Sequence, residues 1–281
     1  MEQGKLYLVA TPIGNLDDIT VRALNTLKSV GLIACEDTRH SMGLLNHFDI
    51  HKPLTSYFEH NKKEKGEYIL SVLKEGTDVA LVTDAGTPAI SDPGEDLVRM
   101  CNEEGIKVVP VPGACALINA LIVSGKDTGR FTFESFLSVN KKSRREHLDV
   151  LKNEKRTMIF YEAPHKLKRT LADMYEVFGN RDISIVREIT KVYEECRVTT
   201  LGQAVEYYES TPPKGEYVLV ISGESPDADQ KEKEDRYKDI SIKEHVDMLI
   251  AEGLTKKDAI KTASVQRGIP RRDVYNEYER E

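Results

Sequence analysis

Residues 6–35 read LYLVATPIGNLDDITVRALNTLKSVGLIAC, and the fold is decided by how this stretch divides. LYLVA and LIAC are short apolar runs, whereas ITVRALNTLKSV between them repeats its apolar residues at helical spacing. A strand, a helix and a second strand in that order form a βα unit, whose strands lie parallel. The alternation resumes after a polar stretch. DVALVTD and KVVPV read as strands, PGEDLVRMCNEEG and ALINALIV as helices. A parallel sheet is therefore expected up to about residue 125.

GKDTGR at 125–130 carries two glycines and reads as a linker. A second α/β set follows: RFTFESFL, a basic helix around Lys141 to Leu151, the strand TMIFYEA, a helix from Pro164 to Phe178, then DISIVRE, CRVTTL and EYVLVIS. Proline suits the first turn of the 164 helix, where its missing N–H costs nothing. The expected domains are 1–125 and 126–223, both α/β with a cleft between them. GESPDADQKEKEDRYKD has almost no apolar residue, which makes 224–238 a solvated linker. Residues 239–281 then read as a small helical tail, two helices turning at Gly253 and running on into RRDVYNEYERE. That shape resembles a helix-turn-helix unit, and it serves equally well as a packing appendage. With eight basic and eight acidic side chains over 241–281, the tail is no electrostatic arm.

A length of 281 residues exceeds the usual single core of roughly 100 to 200, in keeping with two domains. Hydrophobic residues make up 40% and charged residues 31%, the balance of a globular chain rather than a disordered one. No run approaches the roughly 18 to 20 apolar residues of a membrane span, and the amino terminus shows no basic leader, so a cytoplasmic protein is expected. Cys35, Cys101, Cys115 and Cys196 form no CxxC pair, which argues against a zinc ribbon or a disulfide framework. The net charge of −7 weighs against nonspecific grip on nucleic acid.

Absent motifs narrow the chemistry. Neither GxGxxG nor GxxxxGK[ST] occurs, which leaves dinucleotide and P-loop phosphate cradles unsupported. HExxH and GxSxG are missing too, and His47 with His51 lacks a carboxylate in a zinc pattern, so no metal is expected. What stands out instead is four loops at strand ends, where open α/β sheets bind ligands. These are ATPIGN (10–15), DAGTPAISDPG (84–94), VPGACA (111–116) and YEAPH (161–165). Their small residues, Pro and Gly let backbone amides and carbonyls approach a ligand.

The ordered blocks ATPIGNLDDIT, CEDTR, SYFEHN, VTDAGTPAISDPG, VPGACA, FTFESFL, FYEAPHK, REITKVYEE and KGEYVLVISG resemble the ribosomal small-subunit methyltransferase I family, a branch of the tetrapyrrole methylases. The resemblance spans Leu6 to Gly223, and the helical tail also resembles the family's C-terminal domain. It implies methyl transfer from S-adenosylmethionine to the 2′-hydroxyl of a cytidine in the decoding region of 16S ribosomal RNA, by a homodimer acting on the small ribosomal subunit. It also implies that the cofactor contacts are Pro12, Ile13, Gly14, Asp84, Ala85, Gly86, Thr87, Ile90, Ser91, Cys115, Ala116, Tyr161, Glu162 and Ala163. Where family members often read FEGFLP this chain reads FESFLS, so Ser135 and Ser138 replace Gly and Pro.

Transfer from an activated sulfonium needs alignment more than a metal. The ribose hydroxyl is a poor nucleophile, and a base taking its proton contributes a factor of about 10² to 10⁴. Glu36, Asp37, Glu162 and Glu188 are the carboxylates in the blocks; Asp37 or Glu162 is expected to orient or deprotonate the hydroxyl. Glu36, His60 and Asn61 are expected to meet substrate, and Arg39, Arg187 and Lys191 to hold phosphates. The run Lys141, Lys142, Arg144 and Arg145, with Arg271 and Arg272, offers concentrated positive charge for RNA. Alternative readings are a porphyrin or corrin methyltransferase using the same cleft, and a non-catalytic nucleic-acid-binding regulator working through the tail.

Overall fold

A computed structural model describes residues 2–224 and 240–280. The chain divides into two compact units, Met1–Ser222 and Gly223–Glu281.

The first unit begins with the expected parallel sheet. Its strands are β1 (Leu6–Val9), β2 (Leu32–Cys35), β3 (Leu54–Ser56), β4 (Val79–Leu81) and β5 (Val108–Val111), in the order β3-β2-β4-β1-β5. Every pairing is parallel. Helices α1 (Val21–Ser29), α2 (Thr38–His47), α3 (Lys62–Lys74), α4 (Gly94–Glu103) and α5 (Ala116–Val123) connect or follow these strands. The strands alternate their side chains between two cores. Leu6, Leu32, Ala34, Val79 and Leu81 face one, with Ile69, Leu73 and Leu97; Val9, Ile33, Cys35, Ala80 and Val82 face the other, with Ala23 and Leu27. Burial on both faces is why these strands read as unbroken apolar runs.

The polar stretch after β2 holds more structure than its sequence signalled. Asp37 caps α2 through its side chain, and only Ser41 and Leu45 of that helix are buried. β3 and α3 follow before β4.

The second sheet comprises β6 (Phe131–Phe136), β7 (Thr157–Glu162), β8 (Asp182–Arg187), β9 (Glu195–Thr200) and β10 (Tyr217–Ile221) in the order β6-β7-β10-β8-β9. Only β6 and β7 run parallel; the other pairings are antiparallel. Helices α6 (Lys141–Val150), α7 (Pro164–Phe178) and α8 (Leu201–Ser210) supply Leu148, Leu167, Leu171, Met174, Leu201 and Ala204 to the core on one face. The opposite face is covered by α5, whose Leu117, Ala120 and Leu121 pack on Ile159, Val186, Val218 and Val220. By packing, α5 therefore belongs to the second sheet.

Arg144 corrects an expectation. Its side chain is 4% exposed and its guanidinium pairs with Asp173 of α7 at 2.6 Å. It also donates to the carbonyls of Ser138 and Val139 at 2.9 and 3.1 Å. A residue held in this way staples α6 to α7 and is buried away from any RNA. Its neighbour Arg145 pairs with Glu176.

In the second unit, α9 (Ile242–Ala251), α10 (Lys256–Arg267) and α11 (Arg271–Arg280) enclose Val246, Leu249, Ala259, Ile260, Ala263 and Val274. The tail thus has three helices, with RRDVYNEYER forming the third. Ser241 and Glu244 make a reciprocal capping box at the start of α9. His245 is 3% exposed. One ring nitrogen lies 2.9 Å from Gln266 Oε1, and the other accepts from Arg267 Nε at 3.0 Å. Apart from Glu224, the expected linker at 224–238 lies outside the described residues. Among the described residues, no helix is long and apolar enough to cross a membrane.

Two outcomes test this account. Asp173→Ala leaves the Arg144 charge buried alone and should cost about 3–5 kcal/mol in urea unfolding, whereas exposed Lys141→Ala should stay within about 0.5 kcal/mol. Burial holds the His245 imidazole below its ordinary 6.5. Its contribution is complete above pH 6.5 and is lost as pH falls towards the lowered folded value. Urea titrations followed by methyl NMR at Val246 and Val274 should show the tail weakening below that pH, and His245→Gln should flatten the dependence.

Candidate active site

The carboxyl ends of the first sheet face the edge of the second across a cavity of about 470 Å³. Backbone pairing builds its floor. Thr11 and Gly86 exchange both amide hydrogen bonds, at 2.9 and 3.1 Å, which zips the loop after β1 to the loop after β4. Thr87 Oγ1 then donates to the Ala114 carbonyl at 3.0 Å, tying in the loop after β5. Gly86 has φ +87, and a Cβ there would stand 3.1 Å from Ile13 Cγ2. Such backbone suits only glycine at low cost.

Polar side chains fix the long loop after β4. Asp92 Oδ1 accepts from the Ala89 and Gly94 amides at 3.0 and 2.7 Å. Ala89 and Ser91 both adopt positive φ, +66 and +62. Ser91 Oγ lies 2.8 Å from Ser135 Oγ, a hydroxyl pair linking this loop to β6. Ser135 stands where family members often carry glycine, and its φ is +56, beside a shift in register between Phe133 and Phe136. On the far wall, Tyr161 OH accepts from the Leu117 amide at 3.1 Å, and its ring is flanked by Phe133 and Phe136. Burial pushes the Tyr161 phenol up to about 12, which keeps it protonated.

All the residues expected at the cofactor line this cavity except Pro12 and Gly14. Pro12 is buried. Gly14 turns away at φ +142, and a Cβ on it would lie 2.2 Å from Lys191 Cγ. The sequence did not single out Asp92, Phe136, Ile189, Glu216, Tyr217 or Val218, which also line it. Most of these sit in blocks already noted, at or near strand ends of the second sheet, and strand-end position was the usable signal.

The lining is electrostatically one-sided. Among the described residues it contains Glu36, Asp84, Asp92, Glu162 and Glu216, and no lysine, arginine or histidine. Burial, then the charges of Asp84 and Asp92, push the Glu36 carboxyl above its ordinary value. Glu162 does not fit the role of base expected of it. Its Oε1 accepts from the Ala163 amide and from Lys166 Nζ, both at 2.8 Å, and its Oε2 accepts from Thr170 Oγ1 at 2.5 Å. These bonds anchor the start of α7. Asp37 stands outside the lining, capping α2 through the Arg39 amide at 2.8 Å and pairing with the Arg39 guanidinium at 3.0 Å. Those hydrogen bonds to Arg39 hold its carboxyl at about 2, a poor proton acceptor.

The expected substrate contacts are not gathered with the cavity, save Glu36. The Arg39 side chain is 89% exposed. Asn61 braces its own loop, accepting from the Phe58 amide and donating to Ser56, while His60 is exposed. Lys191 pairs with Glu188 at 3.0 Å and Glu216 at 2.7 Å. Arg187 donates to the Lys214 carbonyl at 2.9 Å and lies 3.7 Å from Glu195. Lys141 and Lys142 are exposed on α6, Lys142 near Glu146 at 3.9 Å.

Comparison with known proteins agrees with this architecture. A family profile described as Tetrapyrrole (Corrin/Porphyrin) Methylases matches residues 5–205. "Ribosomal RNA small subunit methyltransferase I" of Halalkalibacterium halodurans is 49% identical over 280 residues, covering 100% of this chain and 96% of that protein. The protein of the same name from Bacillus subtilis is 46% identical over 277 residues, covering 99% and 94%. Among solved structures, a cobalt precorrin-4 methyltransferase superposes with TM-score 0.59 at 18% identity, over 78% of this chain and 94% of that one. A uroporphyrin-III-C-methyltransferase from Thermus thermophilus gives TM-score 0.55 at 19% identity, over 78% and 94%. At such identity these two speak for the fold alone. The match over residues 5–205 and the near full-length relatives show that this chain belongs to the tetrapyrrole methylase family and, within it, to the ribosomal RNA small subunit methyltransferase I group.

Proposed function

We propose that the chain transfers a methyl group from S-adenosylmethionine to the ribose 2′-hydroxyl of a cytidine in the decoding region of 16S ribosomal RNA, working in the cytoplasm as a homodimer on the small ribosomal subunit. The observation that carries the cofactor assignment is the lining itself, which among the described residues holds five carboxylates and no cationic side chain. A phosphate-bearing ligand would be disfavoured there, whereas a ligand carrying a sulfonium and an ammonium group finds opposite charge. When bound, S-adenosylmethionine supplies a methyl group already activated for displacement.

The chain's own part is binding and alignment. Asp84 would face the positive groups. Main-chain groups of Ala85, Gly86, Ala116 and Ala163 would read polar edges, and Ile13, Ile90, Tyr161 and Val218 would cover an adenine. Alignment at near-attack distance accounts for much of such a transfer. The RNA acceptor is supported by the full-length relatives, and the chain's net charge of −7 suits recognition of a folded particle by shape and local contacts. Exposed Arg39, His60, Lys141 and Lys142 are the groups for phosphate contact, with Arg187 beside them in role. Arg144 is excluded from that set by its buried pairing.

Incubation with labelled S-adenosylmethionine and unmodified small subunits, followed by alkaline hydrolysis, should yield a labelled alkali-resistant dinucleotide, because a 2′-O-methyl protects the adjoining phosphodiester. Label on a porphyrin or corrin instead, or cofactor binding with no transfer to RNA, would overturn the RNA assignment. Gly86→Ala forces a side chain into positive φ against Ile13 and should weaken S-adenosylmethionine binding about tenfold, equivalent to about 1.4 kcal/mol. Titration calorimetry reads this directly; an unchanged affinity would place the ligand elsewhere.

A further inference from the structure

The five cavity carboxylates differ sharply in what already holds them. Glu162 is closed off by Lys166, Thr170 and the Ala163 amide. Glu216 pairs with Lys191 at 2.7 Å. Asp92 uses Oδ1 to shape its own loop, and its Oδ2 is enclosed by protein with no partner. Asp84 accepts from the Asp37 amide at 3.3 Å. None of the ion pairs found among the described residues includes Glu36, which lines the cavity with an exposed side chain.

Backbone on either side holds Glu36 in place. Cys35 before it is fully buried in β2, and Asp37 after it caps α2 while its amide reaches Asp84. The result is a carboxylate on a rigid strand end, open to the cavity and committed to no cation. We infer that Glu36 is the catalytic residue that accepts the proton of the acceptor hydroxyl. This rests on the cavity being the methyl-transfer site proposed above. As the acceptor oxygen bonds the methyl carbon, its O–H bond breaks and the proton passes to a Glu36 carboxylate oxygen. The carbon–sulfur bond of the donor breaks in the same displacement, and its electron pair stays on sulfur.

Partial desolvation at the cavity wall and the neighbouring Asp84 and Asp92 charges raise the basicity of Glu36 above that of a free carboxylate, in the direction that favours a base working near neutral pH. Asp37, held at about 2 by its hydrogen bonds to Arg39, lies at the opposite extreme. Adjacent residues in one sequence motif are thus divided into a proton acceptor and a helix cap.

Glu36→Gln keeps the shape and removes the basicity. It should lower kcat by about 10² to 10⁴-fold, weaken S-adenosylmethionine binding in calorimetry by far less than that, and remove the acidic limb of the pH–rate profile. Glu36→Asp should recover part of the rate. In the cofactor-free protein, a carbon-13 carboxyl titration should place Glu36 above its ordinary 4.5, and Asp84→Asn should move it down. Wild-type rates in Glu36→Gln across the pH range would overturn the assignment. So would a loss of cofactor affinity that accounts for the whole defect. Wild-type protein that transfers no methyl to RNA would overturn the proposed function and this inference together, whereas an active wild type beside an equally active Glu36→Gln would overturn the inference alone.

Discussion

The seating of α5 against the second sheet is the constraint on which the site depends. The helix leaves the parallel sheet after β5, and Leu117, Ala120 and Leu121 go into the face formed by Ile159, Val186, Val218 and Val220. A chain that crosses from one sheet to the other through a helix buried on arrival cannot let the two sheets drift apart without exposing that apolar surface. The hydrogen bond from the Leu117 amide to Tyr161 OH sits at this crossing and spends a first-turn helix donor on a side chain of the cavity wall. The three loops of the first sheet and the strand ends of the second are thereby held at a distance set by core packing.

Within that frame, charge is unevenly distributed. Asp84 and Asp92 enter none of the ion pairs among the described residues, and the partnerless Asp92 Oδ2 shows that the polar groups there are incompletely satisfied. A cationic ligand relieves the same imbalance that the fold created. The cations themselves are kept elsewhere. Lys191 bridges Glu188 and Glu216, Lys166 pairs with Glu162, Arg144 is sealed between helices, and Arg39 stays out in solvent.

Much of this was legible from local pattern. Apart from β3, the strands of both sheets, the start of α7 at Pro164 and the loops of the first sheet follow from apolar period and turn chemistry, and those loops supply most of the cavity. α2 escaped because ten residues bury only Ser41 and Leu45, so its helical period is nearly silent and its cap does the signalling. The mixed order of the second sheet was invisible because antiparallel partners such as β7 and β10 lie far apart in the chain. Charged residues were the hardest to read. Arg144 looks like one member of a solvated run until Asp173 appears 29 residues later, and Glu162 looks available until Lys166 reaches back one helical turn. The second case had a signal, since the spacing in EAPHK places Glu162 and Lys166 four residues apart across a helix start.

The serine pair at the cavity carries a consequence for how such a sequence can change. Ser91 and Ser135 both sit in backbone that favours glycine, at a cost of about 1–2 kcal/mol for each non-glycine residue. What offsets the cost is available only when both hydroxyls are present, because each is the other's partner. Neither serine is independently replaceable: losing one leaves its mate strained without compensation, while glycine at both positions removes the strain and the link together. The two positions, 44 residues apart, one in the loop after β4 and the other in β6, should therefore vary as a pair among relatives, with a record of joint substitution that neither local sequence alone would show.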